Sequence, residues 1–474
     1  MIRLYDTLSG EKKPLPDQKK IRLFVCGPTV YDYAHIGHAR TYLFFDFFAK
    51  YLRSHGYEVT YLQNITDIDD KIIKRAAESG RKTEDFARSF TEAYLEDMRS
   101  LGIAMTDDED EAKRAGAILY APATRFITQI TAQVERLIEK GLAYRIDGDG
   151  WYFDISKDES YGKLSHRTSG QAEDATSRID DAIGKRNKGD FCLWKFSKPD
   201  EPSWNTPLGE GRPGWHIEDT AISEFYFGPH YEIHGGGVDL KFPHHEAEIA
   251  QQESLREPGD DRPFVQYWMH TGALLVDGKK MSKSLGNFIT IRDFLSKHSP
   301  DVLRLITLTH RYRSPIDFSD ELVKQAETAI GNMHLFLAKL DYAATGATHQ
   351  SEHLARKTVD EADQIFQAII EDDINSADAI ARVFADISKL QPQIWDLPPA
   401  DALVHLKRFE GVFRLLGFTF KPHKIPKEIQ GKAAERELSR ANKQFEQADA
   451  LRKEIDRLGY EIEDTPKGPF IWPK

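Results

Sequence analysis

Hydrophobic and polar positions follow two different periods along the first part of the chain. Residues 21–26 form a short apolar run that Gly27 and Pro28 end, which is typical of a buried strand leading into a loop. Apolar residues three or four apart predict a helix over 38–54, and residues 57–63 predict a second strand. A strand, a helix and a strand joined by short links form the βαβ unit of a parallel sheet.

The middle of the chain changes pattern twice. Helical spacing dominates residues 83–140, whereas residues 142–195 carry aromatic residues and Gly-Asp pairs that predict short strands and loops. A strand pattern returns at YEIHGGG near residue 230, a helix follows from about Pro243, and residues 262–276 predict one more strand. We therefore expect an insertion within a parallel-sheet domain.

The last third of the chain is predominantly helical. Leu, Ile, Phe and Val at spacings of three and four predict long helices from residue 319 to 418. Residues 423–432 are predicted to be a linker, and residues 433–458 a single, highly charged helix.

Composition excludes several classes of protein. The chain has 474 residues, of which 40% are hydrophobic and 30% charged, as in globular proteins of more than one domain. No apolar run approaches the ~20 residues that span a bilayer, and the N-terminus lacks a signal-peptide core, so we expect a soluble cytoplasmic protein without a membrane partner. Two cysteines are too few for a disulfide framework. The net charge of −12 does not exclude a nucleic acid, because local charge decides binding.

Two separated motifs carry candidate phosphate chemistry. His35-Ile-Gly-His38 stands directly before the predicted helix, whose N-terminus attracts anions, and Gly37 lets a flat ring approach the backbone. Lys280-Met-Ser-Lys283-Ser can clamp a polyphosphate. Alone, the first could be a helix cap and the second a solvated basic loop. Together they resemble the two signatures of class I aminoacyl-tRNA synthetases, which implies that both histidines and both lysines stabilise the phosphates of ATP.

A third group has the chemistry of a metal site. Cys26 ends the first predicted strand of the sheet, where ligands bind in open parallel sheets. His244 and Glu248 are four residues apart and share one face of a helix. Cysteine, histidine and glutamate are all zinc ligands, although a pair at this spacing is also common on surfaces.

Five longer segments narrow the resemblance to one family within class I. FVCGPTVYDYAHIGHART, NITDIDDKIIKRA, GRPGWHIE, IHGGGVDLKFPHHEAEIAQ and KKMSKSLGNF are similar to segments of the cysteinyl-tRNA synthetases, and the similarity covers the whole chain. In that family two cysteines, a histidine and a glutamate hold one zinc ion that binds the substrate's sulfur. The corresponding positions here are Cys26, Asp219, His244 and Glu248, so an aspartate stands where the family has its second cysteine.

Asp219 leaves three interpretations open. Zinc is retained through the aspartate, or zinc is lost and cysteine is recognised otherwise, or the amino-acid specificity has changed. Our hypothesis is the first, because three ligands are intact and a carboxylate binds zinc at about 2.0–2.2 Å.

The resemblance implies roles for further residues. Thr66, Trp215 and His234 would line the cysteine pocket, and Asp239, with Gly37, would contribute to the ATP site. Thr66, Trp215 and His234 could instead be ordinary packing residues.

At the C-terminal end, Arg440, Asp449 and Asp464 match positions that read the anticodon in the family. Arginine suits guanine and carboxylates suit amino groups, while Trp472 is available for stacking on a base. The alternative is a charged, solvated helix.

The resemblance thus implies an α/β fold: a class I Rossmann-type doubly wound parallel sheet with an insertion, followed by an α-helical bundle and a small C-terminal anticodon-binding region. The expected ranges are 1–95 and 229–318 for the two halves of the catalytic domain, 96–228 for the insertion, 319–422 for the bundle and 433–474 for the anticodon end. The implied reaction activates L-cysteine with ATP and Mg²⁺ and transfers it to the terminal adenosine of tRNA-Cys. We expect a monomer.

Two other functions remain open on the residues alone. A related ligase joins cysteine to an amino-sugar inositol but lacks the C-terminal end. A catalytically silent, tRNA-binding paralogue would explain Asp219 differently.

Overall fold

The computed structural model of this chain describes residues 1–167, 184–282, 285–347, 353–420 and 424–474, except the side chains of 353–355. These residues form two compact units, which are Met1–Ser319 with Glu371–Ile374, and Asp320–Ile370 with Asn375–Lys474. Among the described helices, none combines the length and the apolar character that a membrane crossing requires.

The described strands are β1 Arg3–Asp6, β2 Glu11–Pro14, β3 Lys20–Val25, β4 Glu58–Ile65, β5 Met105–Thr106, β6 Ile118–Pro122, β7 Ala143–Ile146, β8 Gly150–Phe153, β9 Phe191–Phe196, β10 Trp204–Thr206, β11 Gly209–Pro213, β12 Tyr231–Gly237, β13 Val265–Thr271, β14 Leu274–Val276, β15 Lys279–Lys280, β16 Ile316–Phe318, β17 Tyr460–Thr465 and β18 Gly468–Pro473.

The described α-helices are α1 Ile36–Ser54, α2 Asp70–Glu78, α3 Thr83–Ser100, α4 Glu109–Ala115, α5 Ile127–Glu139, α6 Ile217–Phe227, α7 Glu246–Ser254, α8 Ile291–Leu295, α9 Pro300–Leu308, α10 Asp320–Ala343, α11 His353–Glu371, α12 Ser376–Leu390, α13 Pro399–Leu416, α14 Lys427–Ala441 and α15 Phe445–Arg457.

A parallel sheet of order β13-β12-β3-β4-β6-β5 organises the first unit. The predicted βαβ unit is confirmed as β3, α1 and β4. Fourteen of the 19 residues of α1 are buried, because the helix packs against the sheet on one side and against α9 on the other. Its four phenylalanines fill this layer, and the order of the strands confirms the predicted α/β fold class.

One prediction about this sheet was incomplete and another was wrong. The range 83–140 is mainly helical, as predicted, but it also contributes β5 and β6 to the sheet. The single strand predicted over 262–276 is two strands, and β14 belongs to a separate sheet with β15 and β16. The chain turns at Gly272, where a Cβ atom would lie 2.4 Å from the carbonyl oxygen of Ser314. Only a residue without a side chain allows that approach.

The short strands predicted in the middle of the chain form a second, antiparallel sheet of order β10-β11-β9-β8-β7. After it, α6 leads back to β12, which lies between β13 and β3 in the parallel sheet. This return brings α6 and the turn before α7 to the carboxyl ends of β3 and β12, which is where the candidate site lies.

The second unit consists of helices and a terminal hairpin. The single charged helix predicted over 433–458 is in fact α14 and α15, and the predicted linker is shorter because α14 begins at Lys427. The break comes at Lys443, whose φ of 60° is incompatible with a continuous helix. Ile429, Ala433, Ile455 and Ile462 form a small core that joins both helices to β17.

Candidate active site

The histidine pair begins the helix α1. The His35 ring nitrogen Nδ1 accepts hydrogen bonds from the backbone N–H groups of Gly37 and His38 at 3.1 and 3.3 Å. In return, the Nδ1 atom of His38 accepts from the backbone N–H of His35 at 3.2 Å. The two rings are stacked, with their centroids 3.8 Å apart. This reciprocal cap satisfies N–H groups that a helix start otherwise leaves unpaired.

The cap also determines which nitrogen of each ring carries the proton. Because both Nδ1 atoms accept, the neutral rings carry their protons on Nε2, and these two N–H donors are available to a ligand. Burial, followed by the charge of His38, lowers the pKa of His35 to about 2, and burial lowers that of His38 to about 4. Both rings are therefore neutral donors at neutral pH.

The segment that follows the lysine motif lies against the histidine pair. Phe288 packs edge-on to the His35 ring, and the N–H of Ile36 donates to the carbonyl oxygen of Ile289 at 3.1 Å. A Cβ atom at Gly37 would lie only 3.1 Å from the Cε atom of Met281, in the motif itself. The two motifs, about 240 residues apart in sequence, thus meet at one place.

The structure describes one of the two predicted phosphate-binding lysines. Lys280 is exposed on β15, and its charge contributes to lowering the pKa of His35. Lys283 lies outside the described residues. Asp239 is exposed just after β12, and its carboxylate acts on the pKa of His35 in the opposite direction. Asp239, Lys280 and the histidine pair therefore share one electrostatic environment.

The four predicted metal ligands converge in a fully buried pocket. Cys26 follows β3, Asp219 lies in the first turn of α6, His244 precedes α7, and Glu248 lies in its first turn. The Nε2 atom of His244 lies 3.1 Å from an Asp219 oxygen and 3.4 Å from Glu248 Oε1. Cys26 Sγ lies 3.9 Å from the same Oε1 atom. One atom from each residue lies within 4.8 Å of the others.

The chemistry of this donor set fits a zinc ion. Sulfur, imidazole nitrogen and carboxylate oxygen are its ordinary ligands. Burial, and then the Asp219 and Glu248 carboxylates, raise the pKa of the Cys26 thiol well above its usual value. Burial and Asp219 likewise raise the pKa of Glu248. A divalent cation reverses both effects, because it stabilises the thiolate and the carboxylate that it binds.

The residues predicted to line the cysteine pocket surround this cluster. Thr66 is buried, with its hydroxyl donating to Glu218 at 2.7 Å. Trp215 stacks on the His244 ring with centroids 4.3 Å apart. The Nε2 atom of His234 lies 3.2 Å from Cys26 Sγ. Their roles toward a substrate stay predictions.

Tyr42 joins the two halves of the site. Its ring is nearly parallel to that of His38, one turn earlier on α1, with centroids 6.4 Å apart. Its hydroxyl donates to the carbonyl oxygen of Cys26 at 3.3 Å. One helix therefore positions the phosphate-binding candidates beside the thiol-binding candidates.

Two residues of the pocket were not predicted from the sequence. Asn64 donates its amide N–H to Asp219 at 2.5 Å, and His245 places Nε2 3.1 Å from Cys26 Sγ. The doubled histidine in PHHE was a signal for His245, but spacing alone favours its neighbour, which pairs with Glu248. For Asn64, the strand β4 offered no comparable pattern.

At the C-terminal end, two of the three predicted anticodon residues are in direct contact. Arg440 pairs with Asp464 at 2.7 Å, and Arg436 pairs with the same carboxylate at 2.6 Å. Asp449 is exposed on α15, and its charge contributes to raising the pKa of Arg436. Charged residues of α14, α15 and β17 therefore share one surface.

An aromatic residue missed in the sequence lies on this surface. Phe445 is 61% exposed and lines a shallow cleft with Arg440 and Asp464. Trp472, which is available in the sequence for stacking on a base, lies parallel to Phe470 on β18 and lines a different cavity, and its role toward a base stays a prediction. Phe445 stands between Arg440 and Asp449 in sequence, and an exposed aromatic among charges was the available signal.

Comparison with known proteins agrees with these observations. Residues 12–328 match the family model described as tRNA synthetases class I (C) catalytic domain. A cysteine–tRNA ligase from Thermococcus gammatolerans is 40% identical, with 100% of this chain and 99% of that protein covered. The enzymes of the same name from Symbiobacterium thermophilum and Laribacter hongkongensis are 38% and 39% identical, and at least 98% of each chain is covered.

Solved structures share the fold at low sequence identity. Methionyl-tRNA synthetase of Mycobacterium tuberculosis, in complex with methionyl-adenylate, is 16% identical with a TM-score of 0.57, covering 84% of this chain and 90% of that one. The Agrobacterium radiobacter K84 agnB2 LeuRS in a ternary complex with tRNA and LeuAMS is 13% identical with a TM-score of 0.62, covering 86% of both. From its full-length relatives and its catalytic domain, this chain belongs to the cysteine–tRNA ligase family of class I tRNA synthetases.

Proposed function

We propose that this protein ligates L-cysteine to tRNA-Cys in two steps, using ATP with Mg²⁺. The observation that carries the proposal is that two groups of side chains meet at the carboxyl ends of strands in the parallel sheet. One is the pair of neutral Nε2–H donors of His35 and His38, and the other is the buried cluster around Cys26, with Tyr42 in contact with both. The first group suits a triphosphate and the second a thiol.

In the first step, the cysteine carboxylate attacks the α-phosphorus of ATP. A bond forms between the carboxylate oxygen and phosphorus, and the bond to the leaving pyrophosphate breaks. We assign the two histidines to hydrogen-bond the phosphate oxygens, and Lys280 and Lys283 to neutralise the charge that develops on them. The N-terminus of α1 adds positive potential at the same place. Gly37 leaves room beside the His35 ring. Asp239 would accept a hydrogen bond from the ribose of ATP.

Selection of cysteine is assigned to the buried cluster. Cys26, Asp219, His244 and Glu248 are the residues that would hold a zinc ion in the position that the family uses. When bound, such an ion favours a thiolate sulfur over the hydroxyl of serine. Thr66, Trp215 and His234 would complete the pocket, since a small hydroxyl and two flat rings suit a small thiol and its ammonium group.

In the second step, the activated carboxyl passes to the 2′-hydroxyl of the terminal adenosine of tRNA, and AMP leaves. No general base is assigned, because the adenylate is reactive and positioning contributes much of the rate. Arg440, Asp449 and Asp464 would read the anticodon, because arginine pairs with guanine and carboxylates accept from amino groups. Phe445 is our candidate for stacking on a base.

The test is aminoacylation with labelled cysteine and purified tRNA-Cys, with an amino-sugar inositol acceptor in parallel. We expect cysteine on the tRNA and none on the amino-sugar. Transfer to the amino-sugar alone would indicate the related ligase. Binding of tRNA without any amino-acid-dependent exchange of pyrophosphate into ATP would indicate a silent paralogue. Either result overturns the proposal.

A further inference from the structure

The Cys26 sulfur also lies close to a second group of candidate ligands, which does not include Asp219. The Nε2 atoms of His234 and His245 lie 3.2 and 3.1 Å from Sγ. Glu248 Oε2 lies 3.6 Å from His234 Nε2. These four side chains are at most 4% exposed, and one atom of each lies within 4.8 Å of the others.

The spacing suits a tetrahedral ion. Ligand atoms bonded at about 2.0–2.3 Å around a tetrahedral zinc lie roughly 3.3–3.8 Å apart. The two sulfur–nitrogen distances, 3.2 and 3.1 Å, lie just below this range, and the nitrogen–carboxylate distance of 3.6 Å falls within it. An outward shift of the two rings would bring both sulfur–nitrogen distances into this range.

The two rings are held with Nε2 toward the sulfur by partners of their other nitrogen. His234 Nδ1 lies 2.7 Å from the hydroxyl of Tyr231. His245 Nδ1 lies 2.9 Å from His270 Nε2, and the chain continues from His270 Nδ1 to Thr7. Histidine ligands of metals commonly donate their second N–H to such a partner, which fixes the ring and its tautomer.

Two further features favour a ligand at this position. Glu248 Oε2 is fully buried and finds no hydrogen-bond partner among the described residues. A buried carboxylate oxygen without a partner is costly. Gly236 keeps the space open, because a Cβ atom there would lie 2.9 Å from the His245 ring.

The two candidate positions share Cys26 and Glu248, so the remaining ligands decide between them. The family position adds an aspartate and one imidazole, whereas the second position adds two imidazoles. A thiolate and one carboxylate balance the charge of Zn²⁺, while a further carboxylate leaves a net negative charge in a pocket without solvent. Zinc also accepts nitrogen at least as readily as oxygen.

We propose that Cys26, His234, His245 and Glu248 form a second zinc position, and that the ion occupies it in the substrate-free protein. The replacement of the family's second cysteine by Asp219 is the reason, because it removes one sulfur ligand from the family position. The inference rests on the proposed function only in that both concern the same pocket.

Zinc K-edge X-ray absorption tests the proposal on the unmutated full chain, loaded with one equivalent of Zn²⁺ and no amino acid. Multiple scattering counts imidazole ligands. We expect one sulfur and two imidazoles. One imidazole, which the Asp219 position predicts, overturns the proposal, and so does a protein that takes up no zinc.

Matched variants test the same point by metal content after dialysis. We expect His245→Asn to lower zinc affinity by more than about tenfold, while Asp219→Asn and His244→Asn retain the ion. The reverse pattern overturns the proposal. Thermal unfolding of each variant without metal controls for misfolding, and His245→Gln serves as a second variant if His245→Asn fails to fold.

Cysteine-dependent exchange of pyrophosphate into ATP, measured on the same unmutated samples, separates the two proposals. Exchange together with one imidazole overturns only the second position. Two imidazoles without exchange for cysteine overturn only the proposed function.

Discussion

Polar groups are stabilised differently in two regions of the molecule. One is the buried site at the carboxyl ends of β3 and β12, and the other is the charged surface at the C-terminal end of the chain. Around Cys26, side chains are at most a few per cent exposed, and burial is the largest cause of their pKa shifts. At the C-terminal end, Arg440 and Asp464 are about 40% exposed and pair with each other. Water screens the exposed surface, so a single change there costs little, whereas each buried group must be satisfied by a neighbour or a ligand.

The largest effect is expected at the histidine pair. His38→Asn keeps an acceptor for the backbone N–H of His35 but removes the Nε2–H donor. Because one donor to a developing charge is lost, kcat for cysteine activation should fall by about 10²–10³. His38→Gln, whose amide reaches nearer to the Nε2 position, is the matched control and should lose less. Unchanged kcat in His38→Asn, measured by pyrophosphate exchange, would show that only the helix cap matters.

The next effect concerns Glu248, which serves both candidate metal positions. Glu248→Gln keeps the shape of the side chain but removes its charge, so zinc affinity should fall by about 10–100-fold. Titration with a zinc chelator measures this. Glu253→Gln, further along α7 at its C-terminal end, is a control outside the pocket. Equal zinc affinity in Glu248→Gln and the unmutated protein would contradict the assigned ligand.

Acid should destabilise the first unit through His38. Its pKa in the folded protein is about 4, below the ordinary value of 6.5, so the unfolded chain binds a proton first as the pH falls. Stability is therefore lost below pH 6.5, by about 2 kcal/mol at pH 5 from this residue. Urea unfolding at pH 5 and at a pH above 6.5 measures this loss of stability, which should be smaller in His38→Asn. A variant with an unaltered pH dependence would contradict the assignment.

The smallest effects belong to the exposed surface. Phe445→Ala should raise the KM for tRNA by roughly tenfold, because base stacking contributes about 1–3 kcal/mol. Phe445→Trp should retain the affinity, since its ring also stacks. The KM for tRNA should rise with salt in both variants. If Phe445→Ala raises the KM for cysteine instead, the two regions are not separate in function.

The same contrast explains what the sequence could predict. The histidine and lysine motifs, His244 and Glu248 were predictable because local spacing marks them, and Cys26 because it ends a predicted strand. The structure brings the described members together. His245, Asn64 and Tyr42 were not, because their contacts depend on which strands become neighbours. The parallel β3–α1–β4 unit followed from periodicity, but the break at Lys443 depends on one residue's φ angle. Phe445 was missed because an exposed aromatic has no periodic signature.

The most direct test of a phosphate site coupled to a sulfur-selecting pocket is exchange of pyrophosphate into ATP, with cysteine or serine, before and after removal of zinc. We predict exchange with cysteine that is lost on removal of the metal and restored by Zn²⁺, and little exchange with serine. Equal exchange with cysteine and serine, or exchange with cysteine that is indifferent to zinc, would contradict this account.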